Sequence, residues 1–331
     1  MGTKQYSTRL GAIRDAQFRA ALGRLGLGEF VRAEPVTGGL FGQNVFVTST
    51  QGEWVLRGAP HYDWQLPSER FFARLLHERT SAPVPWPYMI DPAEDIFGWS
   101  YAVMPRMPGL QPGGAELPPA DRLGMARAMA ENLALVHELA WPVAGTYDLA
   151  TDTIAPITQS WEDWVAAEVR EWLALALGHS DRTTDADVGW VEHLLRAARA
   201  ALGEPSQPRI VLRDYKENNT VMSRTADGWR VSGVFDLMEA SFGDAEMDLV
   251  RQTALYLDED ARLARGFLRT YLGLWSPRPG FEGRFPVYML RDRLIVWEYF
   301  QRPGTEPPWD ARLTLREWAE PYTTSLGAQM G

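Results

Sequence analysis

The sequence predicts an α+β protein with two lobes, a small one built around an antiparallel sheet and a larger, mainly helical one. Short runs of β-branched and aromatic residues separated by turn residues dominate residues 1–104, whereas the rest of the chain shows mostly helical periodicity. Residues 105–119 are rich in proline and glycine and are expected to form a hinge. Residues 1–104 contain 10 basic and 10 acidic residues, so residues 105–331 carry the whole net charge of −10. We therefore place the boundary between the lobes at 104/105.

The N-terminal lobe is predicted to combine a hairpin with two helices. Val45, Val47 and residues 54–56 are β-forming and flank the polar, glycine-containing segment 49–52, which is typical of a hairpin turn. Ser68 is a suitable N-cap for the second helix. In chain order we expect a helix over 12–25, strands around 45–47 and 54–56, a helix over 68–79, and strands ending at 101–104.

The C-terminal lobe is predicted to be helical, with one interruption. Leu123, Ala126, Ala130, Leu133 and His137 recur at spacings of three or four residues, which places them on one apolar face of a helix. His137 is then a histidine of the core. In chain order we expect helices over 120–140, 161–177 and 190–202, short strands over 210–212 and 231–235 with a tight turn at 227–228, and further helices to the end.

The composition excludes several classes of function. The 331 residues include no cysteine, which rules out disulfides, iron–sulfur clusters and cysteine nucleophiles. The net charge of −10 disfavours binding to nucleic acids or anionic membranes, and it favours a neutral or cationic small molecule as the partner. No signal-peptide pattern and no apolar stretch of about 18 residues occur, so we expect a cytoplasmic protein, either a monomer or a homodimer.

The segment with the most chemical character is 212–219, which follows a predicted strand. Asp214 could accept a hydroxyl proton, Lys216 could offset the charge of a moving phosphoryl group, and the amide oxygen of Asn219 suits a hard cation such as Mg²⁺. A solvated polar turn explains the same residues. Lysine usage favours the functional interpretation, because 31 of the 33 basic residues are arginine and Lys216 is the only lysine besides Lys4.

A further acidic residue, Asp236, ends a predicted strand 17 residues after Asn219. A hairpin between the two segments would bring Asp236 close to Asn219, where both could bind one Mg²⁺ together with nucleotide phosphates. Taken alone, Asp236 is more simply a turn or capping residue. The joint order of Asp214, Lys216, Asn219, a hairpin and Asp236 is much less expected by chance, and it favours a shared site.

The motif 213–219, followed by Asp236, resembles the catalytic loop and metal-binding aspartate of the protein-kinase-like fold, specifically of the aminoglycoside phosphotransferase and choline kinase superfamily. The segment 242–249 is similar to the continuation of that motif, in which acids corresponding to Asp244 and Asp248 tie the loop to the helix behind it. The resemblance implies ATP or GTP and Mg²⁺ as cofactors. The site residues that it implies are Asp214 and Lys216 for catalysis, and Asn219, Asp236 and Glu239 for Mg²⁺.

The resemblance extends through most of the N-terminal lobe. Segment 38–44 lies where the family has its glycine-rich nucleotide loop, 54–57 matches the third strand, and 104–109 resembles the hinge that binds adenine. Arg57 stands in place of a lysine that contacts phosphates, and Glu69 fits its acidic partner. The nucleotide-binding residues implied are Gly38, Gly39, Gly42, Asn44, Arg57, Glu69, Met104, Pro105 and Met107, with adenine contacts at the Pro105 carbonyl and the Met107 amide.

The chain departs from the family directly before Asp214. Leu212-Arg213 stand where the family has His-Gly, and that histidine normally helps to hold the catalytic and metal-binding loops together. We expect Arg213 to pair with a nearby acid instead. This departure leaves open a protein that binds a nucleotide or another ligand without catalysing transfer.

The resemblance implies a kinase that moves the γ-phosphoryl group of ATP or GTP to a hydroxyl of a small molecule. Residues 288–322 mix acidic with aromatic residues, which would suit an amine-bearing substrate such as an aminoglycoside. The residues concerned are Glu298, Glu306, Asp310, Glu317, Trp297, Trp309 and Trp318. Surface acids and core tryptophans explain the same residues. Antibiotic resistance would follow from an aminoglycoside or macrolide substrate, and a metabolite such as choline, homoserine or a sugar adduct is the alternative.

Overall fold

The computed structural model of this protein describes residues 3–36, 42–112 and 117–325. A part made of strands and two helices is followed by a mainly helical part, which confirms the predicted α+β class. Among the helices of these segments, none combines the length and apolar character that crossing a membrane requires.

The N-terminal part is built on an antiparallel sheet. In chain order it contains β1 (Thr3–Ser7), β2 (Gly11–Arg14), α1 (Asp15–Leu25), β3 (Phe30–Pro35), β4 (Asn44–Ser49), β5 (Gly52–Gly58), α2 (Gln65–Arg79), β6 (Met89–Asp91) and β7 (Tyr101–Pro105). The sheet has the order β3-β4-β5-β7-β6. β4 and β5 form the predicted hairpin, in which Ser49 stands opposite Gly52. α1 begins later than expected because residues 11–14 pair with β1 as a strand.

Helix α2 joins the core of the C-terminal part. Phe71 lies with its ring 5.3 Å from that of Tyr147, and Phe72 lies 5.9 Å from Phe242. All of these rings except that of Tyr147 are buried. Burial of aromatic rings is among the strongest contributions to packing, so α2 connects the sheet to the larger part.

The C-terminal part is helical around small pieces of sheet. In chain order it contains α3 (Pro119–Val136), β8 (Gly145–Asp148), β9 (Thr153–Pro156), α4 (Trp161–His179), α5 (Asp185–Leu202), β10 (Arg209–Val211), a 3-10 turn (Glu217–Asn219), β11 (Thr220–Thr225), β12 (Gly228–Val234), β13 (Ser241–Gly243), a 3-10 turn (Ala245–Asp248), α6 (Leu249–Glu259), α7 (Ala261–Leu274), α8 (Phe281–Gln301) and α9 (Leu315–Thr323). β11 and β12 form a hairpin, and β10, β13, β8 and β9 form a second sheet.

Helix boundaries differ from the predictions where capping decides them. α5 begins one turn earlier than expected, because Thr184 caps it and shares a reciprocal hydrogen-bond pair with Asp187. α3 ends at Val136 rather than at 140.

The strands β8, β9 and β13 contain only three or four residues each, which is too short for a clear alternating pattern.

The segment after β7 is anchored to the β11–β12 hairpin. Leu110 and Met222 exchange two backbone hydrogen bonds of 2.9 and 2.8 Å. Gly109 has a φ of 133°, and a Cβ there would lie 2.5 Å from the Met222 carbonyl oxygen, so this close approach requires glycine. The predicted hinge is therefore held in place on its C-terminal side.

Candidate active site

The loop 212–219 lies between β10 and β11 and is held from behind by Asp248. The Leu212 amide donates to Oδ2 of Asp248 at 2.6 Å, and the Arg213 amide donates to Oδ1 at 2.8 Å. Nε2 of His137, a buried core histidine as predicted, lies 3.2 Å from the same carboxylate. Arg213 has a φ of 66°, which is costly for a residue with a Cβ. The two hydrogen bonds to Asp248 keep the backbone in that conformation.

The Asp214 carboxylate is at the centre of the hydrogen bonds of this loop. Lys216 Nζ donates to Asp214 Oδ2 at 2.6 Å. Asn219 Nδ2 donates to the same oxygen at 3.1 Å and to the Asp214 backbone oxygen at 2.9 Å. Oδ1 of Asp214 is buried and accepts no hydrogen bond from the described residues. Buried oxygens are nearly always hydrogen-bonded, so an unpaired Oδ1 is unusual.

Asp236 lies beside Asn219 because β11 pairs with β12. Thr220 stands opposite Val234, and the Phe235 amide donates to the Asn219 carbonyl at 3.1 Å. Asp236 also has a positive φ, 66°. Within the described chain, no donor occupies Oδ1 of Asn219 or Oδ2 of Asp236, so one oxygen of each is available to a cation.

These two oxygens fit the coordination habits of Mg²⁺. The described residues contain no group of three or more histidine, aspartate and glutamate side chains that could hold a metal by themselves. Mg²⁺ commonly uses one or two protein ligands and completes its shell with water and substrate phosphates. Asn219 and Asp236 supply such a pair. Glu239 is exposed after Asp236, and no hydrogen bond or ion pair within the described part joins it to them, so its metal role stays a prediction.

Arg57 connects the N-terminal sheet to the metal-site candidate. Its Nη1 donates to both carboxylate oxygens of Glu69 at 3.0 and 2.9 Å, and its Nη2 donates to Asp236 Oδ1 at 2.8 Å. Burial alone would lower the pKa of Arg57, but the carboxylates of Glu69 and Asp236 raise it, so the guanidinium stays charged. The structure thus brings together residues that are far apart in the chain.

Glu69 also holds the segment that follows β12. Its Oε1 accepts hydrogen bonds from the two consecutive amides of residues 236–237, at 3.0 and 3.4 Å. Its Oε2 accepts one from the Tyr88 hydroxyl at 2.8 Å. The neighbouring Ser68 donates through Oγ to the Met238 carbonyl at 2.7 Å. The first turns of α2 therefore set the position of the segment that carries Asp236.

The hinge presents free backbone groups on one side of β7. Pro105 stands opposite Trp54 of β5. The next residue, Arg106, donates its amide to the Glu53 carbonyl at 2.9 Å. Because hydrogen-bonded and non-hydrogen-bonded pairs alternate in an antiparallel sheet, Pro105 and Trp54 form a pair without hydrogen bonds. The Pro105 carbonyl therefore points away from β5, and the Met107 amide donates no backbone hydrogen bond to a described residue. β6 pairs with β7 only as far as Val103, so no described strand lies beside the end of β7 on this side. Both groups can bind the edge of a planar ring.

Further predicted nucleotide-binding residues surround the hinge and the start of β4. Met104 is buried in β7. Gly233 of β12 approaches Met107 so closely that a Cβ on Gly233 would lie 2.6 Å from Met107 Cβ, so the hinge packs on the C-terminal hairpin. Asn44 stands opposite Arg57 in the β4–β5 pair, and its Oδ1 is buried without a hydrogen-bond partner among the described residues.

The predicted glycine-rich loop is described only at its end. Gly38 and Gly39 lie outside the described residues. Gly42 has a φ of 58°, and a Cβ there would lie 3.0 Å from Ser7 Cβ, while its carbonyl accepts a hydrogen bond from the Ser7 hydroxyl. The N-terminal hairpin β1–β2 thus contacts the end of this loop.

Arg213 pairs with an acid, as expected from the departure before Asp214. Its Nη1 lies 3.6 Å from Glu168 of α4, and its Nε donates to Ser241 Oγ at 3.1 Å. Arg291 of α8 donates to the same Glu168 at 2.7 Å. Burial, together with the nearby Arg291 guanidinium, lowers the pKa of Arg213 to about 10. Arg213 therefore links the loop 212–219 to α4 and, through the shared Glu168, to α8.

Two residues that the sequence did not indicate complete the surroundings of Asp214. Arg251 of α6 places Nη1 at 3.5 Å from Asp214 Oδ1. Asp292 of α8 accepts a hydrogen bond from Arg251 Nε at 2.5 Å. Both belong to helices that follow the motif in the chain, and the sequence signals nothing beyond a charged residue within a helix. Their relation to Asp214 arises from the packing of α6 against α8.

The suggested amine-binding surface of acids and tryptophans is wrong for Trp297, Trp318 and Glu298, which are buried. It stays a prediction for the exposed acids Glu306, Asp310 and Glu317. Trp297 and Trp318 are buried, and their rings lie 5.8 and 4.3 Å from that of Trp309. Glu298 is 1% exposed and accepts a hydrogen bond from Arg302 at 2.9 Å. The packed rings hold α8 to α9. The core interpretation of the buried residues is therefore correct.

A family model agrees with the residues gathered at this site. The model of APH, described as a phosphotransferase enzyme family, matches residues 32–281, which is about three quarters of the chain. This range includes most of the sheet of the N-terminal part, the hinge, the loop 212–219 and the segment after β12. None of the curated proteins compared with the chain matches it significantly.

Solved structures share the architecture over nearly the whole chain. A thermostable mutant of aminoglycoside phosphotransferase APH(4)-Ia in complex with ADP and hygromycin B is 16% identical, covers 94% of this chain and 97% of its own, and has a TM-score of 0.62. APH(2″)-IIIa with GDP and kanamycin is 14% identical, with coverages of 85% and 90% and a TM-score of 0.58. A protein from Thermobifida fusca YX-ER1, provisionally named a fructosamine-3-kinase, is 19% identical, with coverages of 86% and 93% and a TM-score of 0.60. At identities this low, the structural likeness shows a common kinase-like fold.

Proposed function

This chain belongs to the phosphotransferase enzyme family and is a small-molecule kinase, and from that premise we propose that it transfers the γ-phosphoryl group of ATP or GTP to a hydroxyl of a small, amine-bearing molecule of the aminoglycoside type. The observation that carries the proposal is the direct contact of Asp214 with Lys216 and Asn219, with Asp236 next to Asn219. A proton acceptor, a cation and two metal ligands are the groups that phosphoryl transfer uses.

The nucleotide would lie between the hinge and Arg57. The Pro105 carbonyl and the Met107 amide would bind adenine or guanine, and Met104 would lie behind the base. Arg57, held by Glu69, would contact the phosphates. The remaining residues of the proposed nucleotide site are Gly38, Gly39, Gly42 and Asn44.

Asp214 would orient the acceptor hydroxyl and take its proton as the new oxygen–phosphorus bond forms. The bond between the γ-phosphorus and the oxygen that bridges to the β-phosphate breaks in the same step, and ADP or GDP leaves with that oxygen. Lys216 would offset charge on the phosphoryl group during the transfer. Mg²⁺, held by Asn219 and Asp236 with Glu239 nearby, supplies charge neutralisation of the phosphates when bound.

The charge distribution supports an amine-bearing acceptor. Residues 105–331 contain 33 acidic and 23 basic residues, and an excess of acid raises the local concentration of cations. Modification of such a substrate would confer antibiotic resistance. The burial of Trp297, Trp318 and Glu298 removes one argument for an amine, and this favours a sugar adduct or another metabolite alcohol as the second candidate.

Binding of a nucleotide together with Mg²⁺ is expected to stabilise the chain. A ligand at 100 times its Kd adds about 2.7 kcal/mol to the free energy of unfolding. We therefore expect ATP or GTP with Mg²⁺ to raise Tm by several degrees, and the same nucleotide with EDTA to raise it less. A scan with each nucleotide, with and without Mg²⁺, measures this. Absence of any nucleotide response would contradict the proposed function.

Acceptor hydroxyls are expected to be found among aminoglycosides. A panel of kanamycin, hygromycin B, choline, homoserine and a fructosamine, incubated with γ-labelled nucleotide, should show label transfer to at least one aminoglycoside. Mass spectrometry would then report the mass of one added phosphoryl group. Transfer confined to choline, homoserine or the fructosamine would favour the metabolite kinase, and nucleotide binding without transfer to any acceptor or to water would favour a non-catalytic binding protein.

A further inference from the structure

Asp214 has a cationic neighbour on the side opposite Lys216. Both Lys216 and Asn219 donate to Oδ2 of Asp214, whereas Oδ1 is buried and accepts no hydrogen bond within the described chain. Arg251 Nη1 lies 3.5 Å from this Oδ1. The carboxylate therefore lies between the Lys216 ammonium of the catalytic loop and the guanidinium of Arg251 in the first turn of α6.

Arg251 is itself fixed by a buried carboxylate. Its Nε donates to Asp292 Oδ1 at 2.5 Å, and Asp292 is 3% exposed. Arg293 Nη2 donates to the other oxygen, Oδ2, at 2.6 Å. Burial alone would lower the pKa of Arg251, but the carboxylates of Asp292 and Asp214 raise it, so Arg251 stays charged. Arg251 makes no other hydrogen bond to a described residue, and its Nη1 is the nitrogen that approaches Asp214.

Arg251 is not the only cation that pairs with Asp292. Asp292 already has a second cation in Arg293, so Arg251 is not needed to neutralise it. An arginine whose purpose was to pair with Asp292 would also be expected to use its Nη donors on that carboxylate, since bidentate pairing is the favoured geometry. Here only Nε of Arg251 donates to Asp292 among the described contacts, and Nη1 lies 3.5 Å from Asp214 Oδ1 instead.

We propose that Arg251, oriented by Asp292, is a positioning residue for the catalytic Asp214, and this inference rests on the proposed function. The torsion about the terminal carboxylate bond of an aspartate is broad, so contacts on one oxygen leave the plane of the group poorly defined. Lys216 and Asn219 hold Oδ2, and Arg251 limits rotation by attracting Oδ1. The carboxylate is thereby kept in the orientation that meets the acceptor hydroxyl.

The test compares Arg251→Met, Arg251→Lys and the wild type in hydrolysis of Mg²⁺-nucleotide, where water takes the place of the acceptor. Loss of an orienting partner typically costs about 10- to 100-fold in activity. We expect Arg251→Met to lower kcat by that factor while KM for the nucleotide stays within about twofold of the wild type. Arg251→Lys should recover part of kcat, because it keeps the charge but lacks the fork that reaches both carboxylates.

Arg284→Met serves as the matched control. Arg284 is also buried and paired, with Glu246 at 2.7 and 2.8 Å, and it lies on the same helix as Asp292 without contacting Asp214. This variant should lower Tm while the folded fraction keeps the kcat of the wild type. If Arg251→Met does not fold, the reduced kcat of Arg251→Lys at unchanged KM carries the test.

The results separate this inference from the proposed function. A wild-type chain that neither binds nor turns over nucleotide overturns the proposed function and the inference with it. A wild type that turns over nucleotide while Arg251→Met and Arg251→Lys match its kcat overturns the inference alone. Equal losses of kcat in Arg251→Met and Arg284→Met would also overturn it, because they would indicate general loosening of the C-terminal part.

Discussion

Asp214→Asn is expected to lower kcat by about 10²- to 10⁴-fold, the usual contribution of a general base. The amide has nearly the shape of the carboxylate but cannot take the hydroxyl proton, and it removes the negative charge that faces Lys216 and Arg251. Binding of Mg²⁺-nucleotide should persist, because the proposed nucleotide contacts lie at the hinge and at Arg57. Single-turnover transfer of labelled phosphate measures the loss, and a thermal scan with nucleotide checks that binding is retained.

Asp227→Asn is the control for this change. Asp227 is exposed in the turn between β11 and β12, in the same hairpin that brings Asp236 to Asn219. The same chemical substitution there should leave kcat and Tm unchanged. If Asp214→Asn retained transfer within about twofold of the wild type, a base role would be untenable.

Arg57→Met is expected to destabilise the chain by about 3 to 5 kcal/mol, the cost of removing one partner of a buried ion pair. Glu69 is 2% exposed, and its charge would lose the guanidinium that both of its oxygens contact. Asp236 would lose its contact at the same time. The urea concentration at the midpoint of unfolding measures the effect, and Mg²⁺-nucleotide should no longer raise Tm as it does in the wild type.

Two further variants show whether burial causes this loss. Arg170→Met breaks an exposed pair with Glu192, which should cost about 0 to 1 kcal/mol. The double variant Arg57→Met/Glu69→Gln should lose less than the sum of its single variants, because it leaves no unpaired buried charge. Equal midpoints for Arg57→Met and Arg170→Met would show that the Arg57–Glu69 pair does not stabilise the fold.

The contact between Arg57 and Asp236 bears on how the site would load. Both groups have proposed ligands of their own, the phosphates for Arg57 and Mg²⁺ for Asp236, yet here they neutralise each other at 2.8 Å. A phosphate and a divalent cation arriving together can replace both partners with one set of opposite charges. A cation alone would have to compete with the guanidinium. This agrees with the expectation that nucleotide and Mg²⁺ stabilise the chain most when both are present.

The sequence predicted the elements whose signals are local. Hydrophobic spacing indicated α3 and α4, and the polar turn between two β-forming runs indicated the β4–β5 hairpin. The strands β8, β9 and β13 were missed because each is short and depends on partners far along the chain. β1 and β2 form a hairpin through residues that also suit a helix start, so the beginning of α1 was placed too early.

The sequence by itself determined the chemical content of the site. Asp214, Lys216 and Asn219 lie in one short loop, so their separation along the chain already limits the distances between them. The tertiary structure decided what surrounds them. Arg57 reaches Asp236 from the N-terminal sheet, and Arg251, held by Asp292, reaches Asp214 from a helix that packs against another. The physical reason is that ion pairs between distant segments follow from how helices and sheet bury their apolar faces. A linear pattern of charges carries little information about that packing.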